Sequence, residues 1–279
     1  VLDRAAAGAS CSTGVLGFGV RVSVLAAGAV IVLSVAGCAL RRTAPLPPAS
    51  PEALLERLAA RRAAVTSIRA RAHLKAGLSG LWVKEALLVR RPDAVRVDVF
   101  QPFGLALALG VQGMRLWAYE PAARTRWDGA ASPANLTRFL GAPIAVADAV
   151  DILLGTPPAR TPAAEPSVAS TDAREYRLRV PLADGQQTVW FAGDTLVVVR
   201  AEEERAGQPK LAVAFGEYQD GFPRAIDVGT PASGSGARIR FEAVEPNAAL
   251  DPAVFAPPPA PRVLSLDAAA PPPPAPGGS

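Results

Sequence analysis

The period of apolar and polar positions changes several times along the chain, and each change marks a new element. Val22 to Ala36 is apolar or small throughout, with no charge between Arg21 and Arg41. Ser50-Pro51-Glu52 then has the form of a helix start: an N-cap hydroxyl, a first-turn proline, and an acid at the positive end of the helix dipole. Leu54, Leu55, Leu58, Ala59, Ala63 and Val65 recur at near-helical spacing while Arg57, Arg61 and Arg62 take the other side, which predicts a helix over 51–65. From Ile68 the period falls to two. Ile68, Ala70, Ala72, Leu74 and Ala76 alternate with Arg69, Arg71, His73 and Lys75, and only a strand sends such charges to one face. Further strands are predicted over 81–90, 94–100, 105–111, 114–119 and 123–128, close enough together to form an antiparallel meander.

The alternation stops at Ser132-Pro133, where a short helix runs to Gly141, and a second spans 145–154 and ends at Gly155 with Pro157 and Pro158 beyond. Residues 156–172 read as a loose linker. Strands resume over 174–181, 187–191, 195–204, 210–217, 223–229 and 237–243. No βαβ alternation is present, so the class is mainly β, α+β in the wider sense, with eleven or twelve antiparallel strands and three helices. Residues 38–50 form a proline-rich tether, and the domain is placed at 51–255. Residues 256–279, which hold much of the chain's proline, read as a disordered tail.

Composition removes several kinds of chemistry. Half of the 279 residues are apolar and 19% are charged, enough for one well-packed domain. The formal charge of +4 is spread along the chain rather than gathered into a block that would track phosphates, so no nucleic-acid partner is expected. With one histidine and two cysteines, a histidine-based triad or a zinc cluster lacks a member, and no metal or cofactor is expected. His73 sits in the basic ladder of its strand. Asp148 with Asp151, and the run Glu202-Glu203-Glu204, are read as solvated charges rather than a glycosidase-like pair. Ser233-Gly234-Ser235-Gly236 is not followed by a helix or a lysine and makes no phosphate cradle. The chain reads as a binding protein, not an enzyme.

The apolar run at the start closes on Leu33-Ser34-Val35-Ala36-Gly37-Cys38, which resembles the bacterial lipobox. Small residues at Ala36 and Gly37 let a peptidase grip extended backbone, and the Cys38 thiol is the group able to take a diacylglyceryl unit. Residues 1–37 are thus expected to be a signal peptide and Cys38 the lipid-attachment residue, the alternative being an uncleaved span. Cys11 would leave with the signal. Ala39, rather than an aspartate, at the second mature position favours the outer membrane.

Between residues 98 and 158 the order of features is specific: DVFQPFG, the aliphatic LALALGVQG, the hairpin MRLWAYEPAARTRWDG, then SPANLTRFLGAPIAVADAVDILLGTPP. With the lipobox, the helix before a long strand pair, and the LGAPI and LLGTPP stops, this resembles the LolA/LolB superfamily, and more closely its LolB branch. The resemblance covers about residues 51–245. It implies an open antiparallel half-barrel with helices over an apolar cavity that holds acyl chains, and a lipid-anchored acceptor on the periplasmic face of the outer membrane. Such an acceptor is a monomer that receives lipoproteins from a periplasmic carrier of the LolA type. The segment after residue 245 departs from the family pattern, which leaves open a lipid-binding or scaffold lipoprotein with no role in sorting.

The cavity is expected to be lined by Leu74, Val97, Leu107, Leu109 and Leu116 from the sheet and by Leu136, Leu140, Leu153 and Leu154 from the helices. The alternative is an ordinary core without a void. Phe103 stands between Pro102 and Gly104 at a strand turn, where small or polar residues are usual. It either folds back onto the sheet or, as the resemblance implies, forms an exposed membrane-contacting loop. Cys38→Ala is expected to stop processing and lipidation. Metabolic labelling with an alkyne fatty acid should tag the wild type only, and equal tagging of the variant would remove the lipid-anchor reading.

Overall fold

The computed structural model describes residues 46–267 except 77–79, 141–143, 172–173 and 231–234. Cys38 and the other residues of the N-terminal address lie outside this range. Helix α1 (Pro51–Ala64) starts as its sequence dictates, with the Ser50 hydroxyl accepting from the Ala53 N–H at 3.2 Å and Pro51 in the first turn. A six-stranded meander follows: β1 (Ser67–Ala76), β2 (Trp82–Arg90), β3 (Ala94–Gln101), β4 (Gly104–Gln112), β5 (Arg115–Glu120) and β6 (Thr125–Ala130). Helices α2 (Pro133–Leu140) and α3 (Val146–Leu153) interrupt it. The chain then builds β7 (Ser167–Ser170), β8 (Glu175–Leu182), β9 (Gly185–Ala192), β10 (Val198–Arg205), β11 (Leu211–Gln219), β12 (Phe222–Thr230) and β13 (Ser235–Pro246).

All described strands belong to one sheet, in the order β14-β6-β5-β4-β3-β2-β1-β13-β12-β11-β10-β9-β8-β7, where β14 is Arg262–Ser265. The two meanders join where β1 pairs antiparallel with β13, Leu74 opposite Ile239 and Ala72 opposite Phe241. The order has two ends, so the sheet is open, as an open half-barrel requires.

Alternation gives the sheet an inner face that meets the helices. The larger core gathers Leu54 of α1 and Val150 and Ile152 of α3 with Ile68, Leu87 and Val89 of the first meander and Val189, Phe191 and Ile226 of the second. A smaller core places Leu136 of α2 against Leu109, Val111, Leu116 and Ala118. The Arg69, Arg71, His73 and Lys75 ladder takes the outer face, where Arg69 pairs with Glu245 at 3.0 Å and His73 stands between Arg240 and Lys84.

Two strands were not expected. Strand β7 lies in the segment read as a loose linker. Strand β14 lies beyond residue 255, in the segment read as a disordered tail, so the domain boundary moves to at least residue 267. After β13 the chain crosses the outer face: a 3-10 turn, Pro252–Phe255, buries Phe255, and the Phe255 carbonyl accepts from the Trp117 indole N–H at 2.9 Å. The Trp117 ring lies over Gly110, where a Cβ would sit 2.2 Å from it, so only glycine fits opposite that indole. Arg126 donates to the Pro258 carbonyl at 2.7 Å, β14 then runs parallel to β6, and Leu266 enters the smaller core.

The acidic residues read as solvated are held in ion pairs. Asp148 and the buried Glu203 share Arg160 at 2.7 and 2.8 Å, and Lys210 bridges Glu202 and Glu204. Asp151, buried in α3, takes Arg62 of α1 and Arg91 of the β2–β3 turn together, and also accepts from the Ala159 N–H at 3.0 Å. Burial, with Arg62 close by, lowers the Arg91 pKa to about 10, still charged at neutral pH. Asp151→Ala would leave two cations facing each other without their shared anion. It is expected to cost about 3–5 kcal/mol, read by urea unfolding followed through tryptophan fluorescence; a loss below about 1 kcal/mol would mean that the cluster behaves as a solvated surface pair.

Candidate functional site

Beneath α2 and α3 the inner face is not fully filled, and a pocket of about 790 Å³ remains. Its floor follows from register. Along β2 the inward positions are Val83, Glu85 and Leu87; β3 adds Val95, Val97 and Val99; and β4 adds Leu107, Leu109 and Val111. Leu74 of β1, Ile239 of β13 and Val228 of β12 continue it across the junction of the meanders. The roof is Leu136 and Phe139 of α2 with Val146, Ala149, Ile152 and Leu153 of α3, spaced three and four apart on one helix face. Its volume lies within the range of pockets that enclose small ligands.

Of the expected lining residues, Leu74, Val97, Leu107, Leu109, Leu136 and Leu153 face this pocket. Leu116 does not. It stands opposite Val111 on the same face, but Ala131, Leu136 and Leu266 close over it as part of the smaller core. Leu154 does not either, because it caps α3 and turns with Val150 into the main core. The side chain of Leu140 lies outside the described part of the structure.

The inner face of β2 also carries an acidic residue. Glu85 lies among Val83, Leu87 and Val89, all on the inner face, with Ala72 of β1 and Val99 of β3 directly opposite. It is only 5% exposed, and among the described residues its carboxyl makes no hydrogen bond or ion pair. Burial alone pushes its pKa up to about 8, so at neutral pH the group is mostly the protonated acid. The other polar lining lies on different strands and helices: Gln101, Glu120, and Arg138, whose guanidinium donates to the Leu266 carbonyl at 2.8 Å.

The mouth lies where β2 starts, β3 ends and β4 starts. Phe103 occupies the β3–β4 turn with its side chain fully exposed, and so does not fold back onto the sheet. Gly104 follows at φ +124°, a conformation that favours glycine. Leu81, Trp82 and Phe100 are exposed at the same end, Trp82 opposite Lys75 and Phe100 opposite Lys84. Among the described residues no three His, Cys, Asp or Glu gather to hold a metal, and no helix is long and apolar enough to cross a membrane.

Among the described residues, an open sheet, antiparallel except for β14, with three helices against its inner face and a pocket beneath two of them defines the class of fold. No family model matches the sequence, and no curated protein matches it. Among solved structures, a LolA superfamily protein from Nitrosomonas europaea superposes with a TM-score of 0.52 at 13% identity, covering 75% of this chain and 99% of that one. A DUF1329 family protein from Desulfovibrio piger gives 0.50 at 15% identity, covering 74% of this chain and 95% of that one. At such identities the likeness speaks for the fold, which this chain shares with the LolA superfamily protein over nearly that protein's whole length.

The raised Glu85 pKa has a sign that stability measurements can read. The folded state binds this proton more tightly than the unfolded chain, so the wild type loses stability as pH rises above 4.5 and the loss levels off above about 8. The uncharged Glu85→Gln variant lacks this term. Its stability should gain on the wild type by up to about 1.4 kcal/mol per pH unit across that window. A gap that does not change with pH in denaturant titrations would mean that the carboxyl is solvated.

Proposed function

We propose that this chain is a lipid-anchored envelope protein that takes acyl chains into the pocket beneath α2 and α3 and helps localise lipoproteins to the outer membrane. The observation that carries this reading is the pocket itself, about 790 Å³ with aliphatic residues from at least five strands and both covering helices around it. Burying methylenes there is favourable by about 0.8 kcal/mol each, and no nucleophile or general base lies among the aliphatic side chains of the floor other than Glu85. Binding, rather than bond breaking, is what such a lining does.

In this reading Cys38 carries the anchor, on the periplasmic face of the outer membrane. The partner is a LolA-type carrier that hands over acylated protein. Phe103 supports the transfer step. An exposed aromatic at the mouth, with Leu81, Trp82 and Phe100 beside it and Lys75 and Lys84 interleaved, is suited to the boundary between headgroups and acyl chains. Its burial there contributes roughly 1.5–3 kcal/mol, enough for a transient contact and too little for an anchor.

The test uses the full chain purified in a mild detergent. Native mass spectrometry should show adducts of acyl-lipid or lipopeptide mass, and their absence after exposure to lipopeptide would remove the carrier reading. Phe103→Glu should keep the adducts while slowing delivery to liposomes by about tenfold or more. Unchanged delivery would leave a lipid-binding lipoprotein with no such role for the loop.

A further inference from the structure

The inner face is graded from one end of the pocket to the other. Val95 and Val111 lie deepest, level with the core residue Val89, and Leu87, Val97 and Leu109 form the next row, so that both levels are aliphatic across the strands. The row nearer the mouth contains Glu85, between Ala72 and Val99, with Leu107 beyond Val99. Gln101, two residues along β3 from Val99, follows at the rim. From the level of Glu85 to that of Val95 and Val111 is about 13 Å of strand, and the inward side chains along it are apolar. A carboxyl 95% buried, facing the pocket and without a hydrogen-bond or ion-pair partner among the described residues, carries a desolvation cost that no described side chain offsets.

We propose that Glu85 is the polar anchor of the pocket and donates a hydrogen bond to the carbonyl oxygen where an acyl chain is joined through an ester or amide, so that the site distinguishes acyl groups from plain or ether-linked hydrocarbon. This rests on the reading that the pocket takes acyl chains, and it adds where the head of the chain stops. The chain occupies the two aliphatic rows below, and its carbonyl, the first polar atom met on leaving them, lies level with Glu85.

The protonation state agrees with a donor role. Directly opposite Glu85 stand Ala72 of β1 and Val99 of β3, with Leu107 of β4 beyond Val99. The charged groups that share the pocket, Glu120 of β5 and Arg138 of α2, add nothing to the shift of its pKa, which comes from burial alone. A protonated carboxyl offers one O–H, which is what an ester or amide carbonyl accepts. Once ionised, the same group can only accept, and it repels a carbonyl oxygen. The geometry therefore also makes acyl binding weaken in alkaline solution.

The experiment is a competition. The full chain in a mild detergent is offered equal amounts of monopalmitoylglycerol and its ether analogue, monohexadecylglycerol, and native mass spectrometry reads the two adducts in one spectrum. At about pH 7 the ester adduct should exceed the ether adduct by about three- to tenfold. The preference should fall toward unity at about pH 9.5, where the carboxyl is ionised. Glu85→Leu should bind both ligands with no preference. Glu85→Gln, which keeps an N–H donor, should retain the preference at both pH values, and it serves if the leucine variant does not fold.

An ester preference that survives in Glu85→Leu, or that does not change with pH in the wild type, would overturn the anchor while leaving the pocket reading intact. Hexadecylamine displacing the ester from the wild type would also overturn it, since Glu85 would then be an anion for a cationic head. No adduct with any of the three ligands would remove the pocket reading itself, and this inference with it.

Discussion

A single carboxylate, Asp151, settles how the helical layer sits on the sheet. Helix α3 has eight residues and no side-chain cap at its start, too short to persist without tertiary contacts. Its underside is aliphatic and would slide over an aliphatic sheet at little cost. Asp151 removes that freedom by binding Arg62 of α1 and Arg91 of the β2–β3 turn at once, while Arg91 also donates to the Val65 carbonyl at 3.1 Å and to the Thr156 hydroxyl at 3.1 Å. Taking these charges out of water is expensive, and the gain lies in geometry more than in stability. With α3 fixed from two sides, Val150 and Leu154 fill the main core, and Val146, Ala149 and Leu153 are left facing a space they do not fill.

How far the sequence could be read follows from where burial falls. Interior strands have one face against the core, so their residues alternate, and β1 and β3 are legible from Ile68 to Ala76 and from Val95 to Val99. Edge strands lack that signature. Strand β14 has four residues, all exposed, and is a strand only because its backbone pairs with β6; β7 is four residues with one partly buried side chain. Pattern reading also measures which face a residue takes but not how far along the strand it lies. Leu116 shares the inner face with Leu109, yet it stands under Ala131 and Leu266, and nothing near it in sequence announces that Leu266 arrives from the far end of the chain. Glu85 was legible: a glutamate in phase with Val83, Leu87 and Val89 is the anomaly that a period of two is suited to expose. It is lost when the stretch is read only as a strand, without assigning its faces.

The pocket and its anchor are two consequences of one arrangement. Ala72 and Val99, which stand opposite Glu85, offer the carboxyl no side-chain partner, and the rows below it are aliphatic. The low local polarity that raises its pKa would also strengthen a hydrogen bond made there. An apolar pocket without a polar group retains anything greasy, whereas one polar group at a fixed depth sets the orientation of what enters. The apolar mouth at Leu81 and Phe103 lies along the strands from that depth.

The openness of the sheet is what makes such a pocket possible. About eight strands closed on themselves surround a bore that side chains fill, and much larger closed barrels enclose water. The fourteen strands among the described residues, left open, surround neither. The three described helices enter the inner side instead, and their aliphatic faces fill it except for the pocket. An open sheet leaves two edges, and both are short strands. The chain after β13 crosses the outer face, ties Trp117 and Arg126 through backbone carbonyls, and lays β14 along β6, with Leu266 buried behind it and Asp267 accepting from the Asn135 amide at 2.7 Å. An edge only four residues long gives another chain little to pair with. The segment beyond residue 255 therefore completes the sheet on the side where α2 needs support, and through α2 it helps to hold the roof of the pocket.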